Sequence, residues 1–88
     1  MRVRAIIYGR VQGVFFRRYT QEQAISLQIK GWVKNNFNGT VEAIFDGQES
    51  RVSEMIEWCQ HGPTYASVEK VEIAPDNSSE QFQDFSIR

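Results

Sequence analysis

The chain has a single cysteine, Cys59, among its 88 residues. One thiol cannot close an internal disulfide, so nothing points to an oxidising compartment. Histidine is just as scarce, with His61 alone, and no cluster of Cys, His or acidic residues has the spacing of a metal site. Charge of one sign is missing too: ten Lys and Arg against eleven Asp and Glu leave a net charge of -1. That balance gives no electrostatic drive towards nucleic acid or an anionic membrane. No apolar run is long enough to span a bilayer, and no charged-then-apolar leader precedes the first strand-like run. The expectation is a cytoplasmic protein that binds neither membrane nor nucleic acid.

What is present suffices to fill one core. Hydrophobic residues make up 41% of the chain and aromatics 12%, in a length that leaves no room for a second domain. Residues 1–88 are therefore expected to form a single domain.

The order of elements follows from periodicity. Val3, Ala5 and Ile7 alternate with Arg2, Arg4 and Ile6, as in a strand with one face on the core. Residues from about 16 to 27 read as a helix, with Phe16, Tyr19, Ala24 and Leu27 at helical spacing. Strands over 29–35 and 40–45 join through Asn38-Gly39, a dipeptide suited to the positive φ angles of a hairpin turn. A second helix over 48–60 carries the stripe Val52, Met55, Ile56 and Cys59. Asp46 with Glu49 resembles an N-terminal capping arrangement, and Gly62-Pro63 supplies the stop. A fourth strand spans 67–74, with Val71 and Ile73 inward and Val68 breaking the alternation as at a bulge. Pro75 ends it, and Phe82, Phe85 and Ile87 suggest a return as a short edge strand. The predicted fold class is α+β: a ferredoxin-like split βαβ sandwich, βαββαβ plus a short C-terminal strand, with two helices on one face of an antiparallel sheet.

The most informative stretch is Tyr8-Gly9-Arg10-Val11-Gln12-Gly13-Val14-Phe15-Phe16-Arg17, which leaves a strand and opens a helix. Successive N–H groups in a tight glycine-bearing turn form a concave nest, and the first N–H groups of a helix have no intrahelical partner. Gly13 lets the backbone approach a ligand, while Val14, Phe15 and Phe16 are expected to floor the loop. Arg10, Arg17 and Arg18 place positive charge around it. From this loop alone an anion site and a plain connecting turn with solvated arginines both stand open.

A second segment decides between them. Gly-Arg-Val-Gln-Gly-Val-Phe-Phe-Arg, together with Gly31-Trp32-Val33-Lys34-Asn35 and the later Gly39-Thr40-Val41-Glu42, resembles the acylphosphatase family of small phosphohydrolases. The likeness runs from Val3 to the end of the chain. It implies that the loop Val11, Gln12, Gly13, Val14, Phe15, Phe16 and Arg17 binds a phosphoryl group, with Arg17 as its charged ligand, and that Asn35 positions the attacking water. It also implies an acylphosphate phosphohydrolase without cofactor or metal, acting as a monomer on a small acyl phosphate, with inorganic phosphate as product and inhibitor. Gln28 departs from the family's pattern, which favours glycine at this helix exit; a non-glycine residue held there in a left-handed conformation costs roughly 1 kcal/mol.

The implied chemistry is consistent with the residues. An acyl phosphate is a mixed anhydride whose leaving carboxylate is already a stable anion, so no general acid is required. The protein has only to hold the nonbridging oxygens and align a water. Neither block supplies a carboxylate or histidine, so a substrate phosphate oxygen is the candidate acceptor of the water's proton. His61 is expected to serve the helix end and Cys59 the core. Asp46, Glu49, Glu54 and Glu57 read as a solvated face, Asn36 and Asn38 as turn formers, and Trp32 as cover for the other sheet face. The rival reading is a noncatalytic phosphate- or small-molecule-binding regulatory module on the same fold. An RNA-binding version would need paired aromatics on a central strand and a basic surface, which the chain lacks.

Overall fold

The computed structural model describes residues 1–88. In chain order the elements are β1 (Arg2–Arg10), α1 (Phe16–Ser26), β2 (Lys30–Asn35), β3 (Val41–Asp46), α2 (Glu49–Cys59), β4 (Ser67–Pro75) and β5 (Phe85–Ile87). Five strands form one sheet in the order β4-β1-β3-β2-β5. No helix is long and apolar enough to cross a membrane.

The alternating residues of the central strands do what their period requires. Val3, Ala5 and Ile7 from β1 join Val33, Val41, Ala43 and Phe45 from β2 and β3 in one buried cluster. Phe16 and Ala24 from α1 and Val52, Met55 and Cys59 from α2 close over it. Trp32 and its register partner Ile44 are buried outside that cluster, on the opposite face. There the Lys34 ammonium and the Arg88 guanidinium lie over the indole, 5.4 and 5.0 Å from its centroid.

The sheet is mixed rather than wholly antiparallel. β1 pairs antiparallel with β3 and β4, as β2 does with β3, but β5 runs parallel to β2 with Gly31 opposite Phe85. The direction follows from where β4 stops. Its last residue, Pro75, pairs with Val3, at the end of the sheet where Lys30 begins β2. The chain then crosses along that end and enters β5 in the same sense as β2. Arg2 holds the crossing segment: it accepts the Asp76 N–H at its carbonyl, donates to the Ser78 carbonyl, stacks over Phe82 at 4.7 Å and pairs with Asp46 at 2.8 Å.

Other expectations shift in detail. Tyr19 is 45% exposed, and Thr20 takes the buried place on α1. Its hydroxyl donates to the Phe16 carbonyl at 2.7 Å, which satisfies a buried polar atom that sequence hydropathy counts against burial. Ile73 is also exposed, because β4 is an edge strand that pairs on one side alone. A bulge falls at Glu69, where Tyr8 faces Lys70 and Gly9 faces Val68. Asp46 does not cap α2; it ends β3 and binds Arg2, while Gln48 is the N-cap without a side-chain bond. In the hairpin only Gly39 has positive φ, at 92°. The Gly39 N–H bonds the Asn36 carbonyl, so the loop is a three-residue turn ending in a left-handed glycine.

The exit from α1 contains one of two non-glycine residues with positive φ. Gln28 stands at φ 58°, with its N–H on the Ile25 carbonyl and the Ile29 N–H on the Ala24 carbonyl. These are the two bonds of a Schellman motif, completed by the buried pair Ala24 and Ile29. Gln28→Gly is expected to stabilise the fold by about 0.5–1 kcal/mol, seen as a higher urea midpoint with unchanged slope. An unchanged or lower midpoint would mean that the Gln28 contact with Arg51 outweighs the backbone strain.

Burial fixes the state of Cys59 in the same way. Its thiol is buried and its pKa is pushed from 9.0 up to about 12 by loss of solvent. The unfolded chain loses that proton first, so Cys59 makes stability fall as pH rises from about 9 towards 12. A thiol reagent at neutral pH should therefore label the protein only under unfolding conditions; rapid labelling of the native fold would contradict this burial.

Candidate active site

β1 ends at Arg10 and α1 begins at Phe16, and the five residues between them shape the site. Val11, Val14 and Phe16 are buried and anchor the turn from beneath. Gly13 has φ 74° and open space around its missing Cβ, so the left-handed backbone, not crowding, calls for glycine there. Phe15, the N-cap of α1, has φ 62° and ψ 24° and offers no side-chain cap. With two left-handed residues in this turn, the N–H groups of residues 12–18 find no acceptor within the protein. The first to close is Tyr19, whose N–H bonds the Phe15 carbonyl at 3.1 Å. A run of free donors at a helix start is a site for an anion.

Phe15 is not part of the floor. Val14 and Phe16 point into the core, whereas Phe15 is 65% exposed. The reversal of backbone handedness at Phe15 sends its ring outward, at a conformational cost of about 1–2 kcal/mol for a bulky residue.

The opposite wall comes from the far end of β2. Asn35 shares a cavity of about 310 Å³ with Val11, Gly13, Phe15, Phe16, Arg17, Arg18 and Ile87. Five of the seven loop residues singled out in the sequence thus line the cavity with Asn35, while Val14 is buried and the Gln12 side chain bonds the hairpin. Arg17 makes no ion pair, and Arg18 has Glu22 at 3.6 Å. Arg10 does not line the cavity, and neither does any Asp, Glu or His. The Oδ1 atom of Asn35 is buried without a hydrogen-bond partner. Buried polar atoms are nearly always satisfied, so an orphan acceptor beside a cationic cavity calls for a missing donor. No group of three His, Cys, Asp or Glu side chains is placed to hold a metal ion. His61 lies exposed two residues past the end of α2, near Glu57, and does not line this cavity. A larger hollow of about 410 Å³ between Tyr19, Trp58 and Tyr65 includes no arginine, no asparagine and no residue of the loop.

Gln12 has a role that the sequence does not disclose. Its Nε2 donates to the Asn36 and Thr40 carbonyls at 2.8 and 2.9 Å, tying the loop to the base of the hairpin that follows Asn35. The hairpin is braced in turn: Asn36 Nδ2 donates to Thr40 Oγ1, and that hydroxyl donates to Asn38 Oδ1. The partners lie 24 and 28 residues from Gln12, and no local pattern signals them.

Comparison with known proteins agrees on one kinship. The pattern defining the family described as Acylphosphatase matches residues 3–87. The acylphosphatase of Syntrophus aciditrophicus is 42% identical over 86 residues, covering 98% of this chain and 90% of that one. That of Geotalea uraniireducens is 45% identical over 89 residues, covering 99% and 98%. Among solved structures, acylphosphatase from Bacillus subtilis superposes with a TM-score of 0.93 at 34% identity, covering 99% of this chain and 97% of that chain.

The tether by Gln12 makes a prediction of its own. Gln12→Ala removes two hydrogen bonds to carbonyls that keep other partners, so stability should fall by about 1–2 kcal/mol. Inorganic phosphate should raise the melting temperature of the parent protein and do so less in the variant, because the loop is no longer held against the hairpin. An equal phosphate-induced shift in both would show that the tether does not organise the loop.

Proposed function

Since the chain belongs to the acylphosphatase family, we propose that it hydrolyses the carboxyl–phosphate bond of acyl phosphates, giving a carboxylate and inorganic phosphate. The observation that carries this reading is Asn35, which lines the same cavity as Arg17 and the loop and whose amide keeps a buried Oδ1 with no partner in the fold. An anion cradle alone would serve a binding module. A side-chain amide beside it with an unused acceptor suits a water that must be aimed.

In this mechanism the nonbridging oxygens of the phosphoryl group accept from the N–H groups of the loop and from the Arg17 guanidinium. Asn35 Oδ1 accepts a hydrogen bond from one water and turns its lone pair towards phosphorus, in line with the acyl oxygen. The new P–O bond forms as the acyl P–O bond breaks, and the electron pair leaves on the carboxylate. The water's proton passes to a phosphoryl oxygen, since the cavity lining has no carboxylate or imidazole to take it. As charge shifts to the leaving oxygen and the equatorial oxygens, donors already fixed in place need no reorganisation. Val11, Gly13, Val14, Phe15 and Phe16 act here through backbone and packing, Gln12 through its N–H and its side-chain tether, Arg17 through its charge, and Asn35 through its amide.

Benzoyl phosphate turnover tests the function. Hydrolysis is expected, with far slower action on an alkyl phosphate monoester, whose poor leaving group needs an acid that the lining lacks. Binding without turnover would leave a regulatory module. Asn35→Ala should lower kcat by about a hundredfold or more while inorganic phosphate still binds, and Arg17→Ala should weaken both. Near-normal kcat in folded Asn35→Ala would remove the water-positioning role.

A further inference from the structure

The cavity is larger than a phosphoryl group requires. Its volume is about 310 Å³, and its lining runs beyond the loop to Asn35 on β2 and Ile87 on β5. Of the four apolar residues in its lining, Val11 and Phe16 are buried, which leaves two exposed side chains from separate elements: Phe15 at the start of α1 and Ile87 at the end of β5. They are 65% and 41% exposed, and neither belongs to the core cluster. The Phe15 ring stacks on no other aromatic. Its outward direction comes from left-handed backbone at a position where an aromatic residue is uncommon. Packing within the fold accounts for neither side chain, and apolar surface at the mouth of a charged cavity favours an apolar ligand group.

We propose that Phe15 and Ile87 form the acyl subsite and select acyl phosphates whose acyl group has a broad apolar body, such as an aromatic ring, over those of acetyl size. The proposal rests on the acylphosphatase reading. With the phosphoryl oxygens on the loop N–H groups and Arg17, the bridging oxygen and the acyl group extend away from the loop. The exposed apolar side chains available to it in the lining are the ring of Phe15 on one element and that of Ile87 on another. An acetyl methyl is too short to cover both, whereas a benzoyl ring removes apolar surface on both from water. Arg18, also in the lining, lies 3.6 Å from Glu22 in an exposed pair. Phe37, fully exposed at the hairpin tip, does not line the cavity and has no part in this subsite.

The readout is the ratio of kcat/KM for benzoyl phosphate to that for acetyl phosphate. In the parent protein this ratio should exceed one. Phe15→Ala should lower it by about tenfold and Ile87→Ala by a few-fold, both through the KM of benzoyl phosphate. Phe15→Tyr, which keeps the ring, should restore the parent ratio. Damage to the loop alone would slow both substrates together and leave the ratio unchanged, and that result overturns the subsite while the hydrolase reading stands. A parent protein that hydrolyses neither substrate overturns both.

Discussion

Seven successive N–H groups, those of residues 12–18, are kept from pairing with the protein's own carbonyls. A chain left to its local preferences would not do this. Extending α1 backwards by one turn would satisfy several of these donors and abolish the cradle. The left-handed residues Gly13 and Phe15 block that extension. Burial of Val11, Val14 and Phe16 fixes the loop to the core, and Gln12 fixes it to the hairpin. The free donors are thus a property of the whole fold: the strain at Phe15 persists because its surroundings over-determine it.

The sheet supplies the other half. Asn35 is the last residue of β2, in register with Val41 across the hairpin. Loop and strand end are therefore set against each other by β1 and β2, which flank β3 on opposite sides. β5 then pairs along β2 and brings Ile87 opposite Val33, close enough to line the same cavity. A three-residue edge strand is marginal on its own. Here its Phe85 is buried and stacks on Phe45 at 5.8 Å, which ties the cavity's third side to the core.

Much of this could be read from the residues because it depends on local periodicity. The alternation of Val3, Ala5 and Ile7 is buried as the period requires, and of the stripe Val52, Met55, Ile56 and Cys59 all but Ile56 are fully in the core, Ile56 packing against it half-buried. The family blocks placed Arg17 and Asn35, and the fold sets both on one cavity. What escaped depends on long-range or irregular geometry. Phe15 looked like floor because side-chain alternation was extended into a turn that contains two left-handed residues. The direction of β5 depends on where β4 stops and on Arg2, and the tether of Gln12 joins segments far apart in sequence. Thr20 was passed over because its hydroxyl finds an acceptor one turn back, which hydropathy does not register.

The most direct test of the account is to watch the backbone amides during a titration with inorganic phosphate, by two-dimensional ¹H–¹⁵N NMR on the intact protein. The account predicts saturable shifts concentrated on the amides of residues 12–18, which have no internal acceptor, with the Asn35 side-chain amide also responding and the strands of the opposite face still. Shifts confined to surface lysines, or centred on the hollow between Tyr19, Trp58 and Tyr65, would contradict it.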